Sequence, residues 1–165
     1  MNDKQELIDA LQSMPWFLGL KTEHFHKLVE IARICYFEAG QEIFHEGDKE
    51  DYLYVVIEGR VAIELTIPGR GRIRILTAEA MDEVGWSSVT PVVRQRTAGA
   101  RAVLPSRLAA FEAEALRRLC DEDHDLGYFV MRRVANLVAE RLLTTRLQLL
   151  DMFAHPADSE EVKYG

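Results

Sequence analysis

Two neighbouring stretches decide the fold: GQEIFHEGD at residues 40–48 and DYLYVVIEGRV at residues 51–61. Three glycines, Gly40, Gly47 and Gly59, separate short apolar runs in these stretches. Glycine readily adopts the backbone conformations that tight strand turns require. The pattern therefore predicts a succession of short strands joined by tight turns.

Helical periodicity precedes this strand region. Apolar residues recur at helical spacing within residues 3–13, and Pro15 ends that helix. Thr22 is predicted to be the N-cap of a second helix, whose apolar residues fall on one face. The chain becomes extended at residues 35–37, where the hydrophobic period changes from helical to two.

A hairpin follows the two glycine-rich stretches. Apolar residues alternate with polar or small ones over residues 61–65, and PGRG at residues 68–71 is a turn sequence. After the turn, Arg70, Arg72 and Arg74 occupy alternate positions, so their side chains share one face of the strand. We interpret this arginine row as a solvated sheet face, with contact to a phosphate or an acidic partner as the alternative.

A strand over residues 98–108 and a short helix over residues 112–120 are predicted next. A long helix then runs from about Asp123, its expected N-cap, to about Met152. One apolar stripe is enough to pack this helix on a sheet. A second stripe therefore predicts that the same helix of a second subunit covers it, in a homodimer with a two-fold axis. The alternative is a helix buried more deeply in its own domain. The first stripe is Val134, Val138, Leu142, Thr145 and Leu149, and the second is Leu143, Leu147 and Leu150.

The spacing of glycines and strands over residues 40–61 resembles the β-roll of the cyclic nucleotide-binding domain family, which includes the sensor domains of catabolite-activator-type regulators. The resemblance implies an α+β fold, in which an antiparallel, jelly-roll-like β-roll carries N-terminal helices and a long C-terminal helix. Many bacterial members dimerise through that helix. The implied domain covers residues 1–153, with N-terminal helices over 1–34, the roll over 35–111 and C-terminal helices over 112–153. Residues 154–165 are expected to be a disordered acidic tail, and no helix-turn-helix is expected.

Members of the family place a phosphate-binding cassette between the last strands: a short helix, an arginine and a small hydroxyl residue. Gly85 and Arg96 are 11 positions apart, as expected for the cassette glycine and its arginine. Helix N–H groups and a guanidinium both bind phosphate. The resemblance implies ligand contacts from Gly85, Trp86, Ser87, Ser88, Arg94, Arg96, Thr97 and Thr145.

Several of these assignments have alternatives. Either Arg94 or Arg96 is expected to be exposed rather than to face the pocket. Ser87 and Ser88 could serve only as helix caps, and Thr145 could instead fill a helix interface.

Trp86 stands where cyclic-nucleotide binders of the family carry a glutamate that accepts a hydrogen bond from the ribose 2′-hydroxyl. Indole has one donor and no acceptor. Loss of a hydrogen bond to a charged group costs about 1.5–3 kcal/mol, or roughly ten- to hundredfold in affinity. We therefore expect weak binding of cAMP, or none. Glu83 is not a substitute in this alignment, because moving it to the glutamate position would break the spacing to Arg96.

Composition and the remaining motifs exclude several functions. A net charge of −7 argues against direct nucleic-acid binding. Cys35 and Cys120 lack a CxxC or Cys/His neighbourhood, which predicts buried free thiols. The histidines have no metal-binding arrangement and no nucleophile motif is present, so no metal, cofactor or catalytic activity is expected. Without a signal peptide or an apolar run long enough to span a membrane, the protein is expected in the cytoplasm.

These observations predict a free-standing sensory or regulatory domain that binds a small anionic, nucleotide-like ligand, with cAMP and cGMP as candidates, and that signals as a dimer. The main alternative is a degenerate dimeric module that has lost its ligand and binds a partner protein. A cupin-like metalloenzyme is a third and weaker alternative.

Overall fold

The structure is a computed structural model and describes residues 2–49, 51–90, 92–93 and 95–155. Within these residues the helices are α1 (Asp3–Leu11), α2 (Thr22–Glu30), α3 (Ala113–Glu122) and α4 (His124–Ala154). The strands are β1 (Ala32–Phe37), β2 (Glu42–Phe44), β3 (Tyr52–Glu58), β4 (Val61–Ile67), β5 (Gly71–Ala78), β6 (Glu83–Val84), β7 (Gly99–Ala102) and β8 (Ser106–Glu112). Two short 3-10 helices cover Pro15–Phe17 and Trp86–Val89.

The strands form two four-stranded antiparallel sheets, in the orders β1-β8-β3-β6 and β2-β7-β4-β5. β4 and β5 pair across the predicted hairpin turn, in which the Arg70 amide donates to the Ile67 carbonyl at 3.0 Å. With helices before the sheets and a long helix after them, the predicted α+β fold with an antiparallel β-roll is confirmed.

Strand β3 shows where the hydrophobic core lies. Leu53 and Val55 belong to a cluster between one sheet and the helices, whereas Tyr54 and Val56 belong to a second cluster inside the roll. Successive side chains of a strand point to opposite faces, so a strand that is buried on both faces needs a continuous apolar run. This is why the stretch YLYVVI shows no alternation.

The glycines of the opening stretches serve as predicted. Gly40 and Gly47 both have φ +85°, and Gly59 has φ +105°. A Cβ atom at Gly59 would lie 2.3 Å from the Ser106 hydroxyl oxygen, so this turn also needs glycine for space.

The structure corrects two local predictions. Thr22 is the first helical residue of α2 rather than its N-cap, because Lys21 is the extended residue whose carbonyl accepts from the Phe25 amide at 3.0 Å. The single strand predicted over residues 98–108 is two strands, β7 and β8, with Pro105 in the connection, where its missing N–H cannot join a ladder.

Three further predictions can be placed. The side chain of Asp123 accepts a hydrogen bond from the Leu126 amide at 3.2 Å, so it is the N-cap of α4 as expected. Cys35 and Cys120 are free but only half-buried. Of the predicted disordered tail, Ala154 is the last residue of α4, and residues 156–165 lie outside the described part of the chain.

The arginine row lies on an exposed face, as interpreted from the sequence. Arg70 sits in the turn, and Arg72 and Arg74 are exposed on β5. Arg72 donates to Glu42 at 2.9 Å. An exposed ion pair of this kind contributes little to stability.

Helix α4 changes character along its length. Val134 and Leu137 are buried against the core, but the apolar side chains beyond Arg141 are exposed. Leu142 and Leu149 of the first predicted stripe are 49% and 52% exposed. In the described residues, no helix is both long enough and apolar enough to cross a membrane.

Candidate functional site

A cavity of about 210 Å³ lies between the roll and α4. Its walls come from residues 83–87, residues 96–98 and the turns of α4 from Arg141 to Gln148, so the fold joins segments that are distant in sequence. The apolar part of the wall consists of Phe44, Ile63, Ile75, Leu76 and Val84. The residues predicted to bind ligand that line the cavity are Gly85, Trp86, Ser87, Arg96, Thr97 and Thr145.

Two predicted ligand residues are not among the lining residues. Ser88 is fully buried and its hydroxyl donates to the Gly85 carbonyl at 2.8 Å, so it stabilises the short helix instead. Arg94 lies outside the described residues. Contact between any of these residues and a ligand stays a prediction.

Gly85 shapes the start of the cassette. It has φ +85° and precedes the 3-10 helix Trp86–Val89 as its N-cap. A Cβ atom at this position would lie 2.4 Å from Nη1 of Arg96 and 3.2 Å from the Tyr52 carbonyl oxygen. Glycine is therefore needed here both for its conformation and for the close approach of Arg96.

Arg96 is held firmly at the edge of the cavity. Its side chain is 4% exposed, with Nη1 donating to the Gly85 carbonyl at 3.1 Å and Nη2 to the Tyr52 carbonyl at 2.6 Å. The guanidinium carbon lies 4.1 Å from the centre of the Phe44 ring. These contacts fix the position of the guanidinium in the wall of the cavity.

Trp86 forms part of the cavity wall and is half-buried. The cavity is present beside the indole. Trp86 thus takes away the expected carboxylate acceptor, but it leaves space that a ligand could occupy.

Two charged residues of the wall, Glu83 and Arg141, were missed as ligand candidates. Nη2 of Arg141 donates to the Glu83 backbone carbonyl at 2.9 Å. Burial raises the pKa of the Glu83 carboxyl and lowers the pKa of the Arg141 guanidinium, and the charge of each partly offsets the effect of burial on the other. Arg141 could have been found from the sequence, since it lies four residues before Thr145 and so shares its helix face.

The helical wall is fastened by two further hydrogen bonds. The Thr145 hydroxyl donates to the Arg141 carbonyl at 2.8 Å, the back-bonding geometry of a threonine within a helix. The side-chain amide of Gln148 donates to the Ile75 carbonyl at 2.8 Å, which ties α4 to the edge strand β5.

Comparison with protein families matches residues 34–123, more than half of the chain, to the cyclic nucleotide-binding domain. The chain belongs to the cyclic nucleotide-binding domain family. The match covers the roll and the cassette, including the segment from Gly85 to Arg96.

Solved structures share the fold of this cyclic nucleotide-binding domain. A proposed cyclic nucleotide-binding protein from Geobacter metallireducens GS-15 superposes with a TM-score of 0.72 at 25% identity, covering 86% of this chain and 99% of that one. A cyclic nucleotide-binding domain from Methylobacillus flagellatus gives a TM-score of 0.75 at 24% identity, covering 90% and 83%. The catabolite activator protein of Thermus thermophilus gives 0.68 at 26% identity, covering 85% of this chain and 63% of the other. The fold therefore occurs both at this chain's length and as part of a longer chain.

A partly exposed charge cluster of the cyclic nucleotide-binding domain lies away from the cavity, where α2 meets the start of α4. One carboxylate oxygen of Asp123 is 2.9 Å from Nζ of Lys27 and 3.1 Å from Nε2 of His24. The hydrogen bond from Lys27, with that from the Leu126 amide, lowers the pKa of Asp123 to about 2. These contacts fix the start of α4. Within the described residues, no group of three or more His, Cys, Asp or Glu could hold a metal ion.

Proposed function

We propose that this domain is a cytoplasmic sensor that binds a small anionic, nucleotide-like ligand in the cavity and signals as a homodimer. The open cavity carries the proposal. Its volume of about 210 Å³ is far above the roughly 10–15 Å³ that one water occupies. A mostly apolar cavity with a few convergent polar groups is the usual form of a ligand site.

The charges of the wall favour an anion. Arg96 and Arg141 bring two guanidinium groups to the cavity, against the single carboxyl of Glu83. Arg96 donates hydrogen bonds to backbone carbonyls, but its charge still attracts an anionic ligand in the cavity. The hydroxyls of Thr97 and Ser87 add neutral polar groups beside it.

The exposed half of α4 supports the dimer. A soluble monomer rarely exposes a contiguous row of large apolar side chains, and a two-fold interface between identical helices covers such a row. The side chains between 49% and 77% exposed are Leu142, Leu143, Leu147, Leu149, Leu150, Met152 and Phe153.

The test is a thermal-shift titration with cAMP and cGMP on the wild type and on Trp86→Glu. Ligand at a hundred times its Kd stabilises the fold by about 2.7 kcal/mol, a shift of roughly 5–11 °C for a domain of this size. Trp86→Glu should respond more strongly, because it restores an acceptor for the ribose hydroxyl. Thr97→Val should weaken the response, whereas Thr66→Val, an exposed threonine that does not line the cavity, should not.

A second candidate function is a dimeric interaction module that has lost its ligand and binds a partner protein. The observation that favours it is the geometry of Arg96, whose guanidinium donates to the Gly85 and Tyr52 carbonyls and stacks on Phe44, all within the protein itself. Absence of any response to either nucleotide in both the wild type and Trp86→Glu, with the dimer intact, would favour this module and overturn the sensor.

A further inference from the structure

We infer that a second concave surface of the domain binds a segment of a partner protein that carries lysine or arginine. This surface, here called the rim groove, has a volume of about 870 Å³ and lies where β1 and β3 end and β8 begins. Among the described residues, none lines both the rim groove and the ligand cavity, so the inference is independent of the proposed sensor function. The lining residues that matter here are Tyr36, Glu38, Gln41, Glu58, Pro105 and Arg107.

The sheet register places three of these side chains in a row across the rim groove. Tyr36 is opposite Arg107, and Arg107 is opposite Glu58, in the strand order β1-β8-β3. Neighbouring strands lie about 4.8 Å apart, so the row from Tyr36 to Glu58 spans roughly 10 Å. An extended segment of about three residues has the same length. The rim groove therefore matches a short stretch of peptide in size.

The charges of the rim groove favour a cation. Nη1 of Arg107 donates to the Glu6 carboxylate, which offsets the positive charge of this arginine. The Glu58 carboxylate is 3.7 Å from Nη2 of Arg107, too far for a hydrogen bond, and the Glu58 side chain is 74% exposed. Among the described residues, the Glu38 carboxylate has no hydrogen bond or ion pair, and the Glu38 amide donates to the Gln41 side chain at 2.9 Å. Two carboxylates thus remain available to N–H donors.

Tyr36 supplies an aromatic surface beside these carboxylates. It is 66% exposed, and its hydroxyl donates to Glu6 of α1 at 3.4 Å. The face of an aromatic ring attracts a cation, and lysine and arginine pack their apolar stems on such a surface while the charged end stays in a polar environment. Tyrosine is also enriched among the residues that contribute most to protein–protein binding. A basic side chain can therefore pack on Tyr36 while its charged end meets Glu38 or Glu58.

The experiment is an NMR titration of the nitrogen-15-labelled protein with a short peptide in which lysine alternates with alanine. Alternate residues of an extended segment share one side, so the lysines can face the rim groove together. The backbone amide signals of the strand ends that form the rim groove should shift. A peptide with norleucine in place of lysine keeps the stem but lacks the charge, and it should bind at least about fivefold more weakly.

Variants of the rim groove test the two kinds of contact. Tyr36→Ser should weaken binding of the lysine peptide about two- to fivefold, the range of an exposed cation–π contact, whereas Tyr36→Phe keeps the ring and should bind as the wild type does. Glu38→Gln combined with Glu58→Gln should weaken binding about fivefold, because two exposed charge contacts are lost.

The matched controls are Tyr128→Ser, and Glu122→Gln combined with Glu140→Gln. Tyr128 is 70% exposed, Glu122 and Glu140 are exposed, and none of the three lines the rim groove. The double control removes the same charge as the double variant, so it measures the general attraction between a basic peptide and a protein of net charge −7. Both controls should bind the peptide as the wild type does.

Three results would overturn the inference. Absence of shifts at the rim groove would show that a basic segment does not bind there. Equal weakening by the double variant and the double control would assign the binding to net charge alone. Spermidine binding as tightly as the lysine peptide would assign the rim groove to a small polyamine. Each of these results leaves the ligand cavity and the proposed sensor function untouched, since the cavity has different lining residues.

Discussion

Replacement of Gly85 by alanine should destabilise the domain by more than its backbone conformation alone accounts for. Gly85 has φ +85°, and a Cβ atom there would lie 2.4 Å from Nη1 of Arg96. No pair of heavy atoms tolerates that separation without a bond or hydrogen bond between them. Because the Arg96 side chain is 4% exposed and fastened at both ends of its guanidinium, it cannot move aside without losing a hydrogen bond.

The expected loss has two parts. A left-handed conformation costs a non-glycine residue about 1–2 kcal/mol. Loss of one hydrogen bond from the buried guanidinium, to the Gly85 or the Tyr52 carbonyl, adds about 1.5–3 kcal/mol. The free energy of unfolding should therefore fall by about 2.5–5 kcal/mol in Gly85→Ala.

Gly40→Ala is the matched control. Gly40 has the same φ of +85°, but a Cβ atom there would meet no atom within 4 Å. Urea unfolding followed by circular dichroism should give the control only the conformational cost, about 1–2 kcal/mol. The difference of about 1.5–3 kcal/mol corresponds to roughly 3–12 °C in Tm. Equal stabilities of the two variants would refute the argument that Gly85 is required by its contact with Arg96.

Two further predictions concern α4. Leu142→Glu combined with Leu149→Glu should give a monomer by light scattering, because each change places a charge in the proposed apolar seam. The control Tyr128→Glu, on the same helix and 70% exposed, should keep the mass of a dimer. A two-subunit mass for the double variant would contradict the proposed seam. The pKa of Asp123 is lowered from 3.8 to about 2, so the stability that its ionised form contributes is present above pH 4 and is lost as the pH falls towards about 2. Asp123→Asn keeps an N-cap but removes the ion pair with Lys27. The free energy of unfolding of this variant should therefore fall less steeply between pH 4 and pH 2. A pH dependence like that of the wild type would contradict the role assigned to the Asp123 carboxylate.

Much of the fold was predictable because the decisive signals are local. The positive φ angles of Gly40, Gly47 and Gly59 follow from a residue type that adopts them readily, and the switch from helical to alternating periodicity located the roll. Thr22 was misplaced by one position, since several residues near a helix start can serve as the cap and the backbone decides among them. The division at Pro105 required knowing which strand each half pairs with, and that is not local information.

The candidate site was less predictable, because its walls meet only in three dimensions. The spacing between Gly85 and Arg96 located the cassette, but not the fact that the Arg96 guanidinium would donate to backbone carbonyls. Glu83 was set aside on alignment grounds, and the structure places it in the cavity wall beside Arg141. A sequence pattern assigns residues to positions along the chain, whereas a cavity depends on which segments pack across from one another.

The same two turns of α4 carry two surfaces. Arg141, Thr145 and Gln148 line the cavity, while Leu142 and Leu147, between them along the chain, are exposed on the proposed seam. A helix is stiff, so a shift or rotation that adjusts one surface displaces the other by the same amount. For the proposed ligand and the proposed dimer, linkage works in both directions: whatever factor ligand binding applies to subunit association, association applies to ligand binding. The apparent affinity for the ligand should therefore depend on protein concentration, and it should differ between a dilute and a concentrated sample.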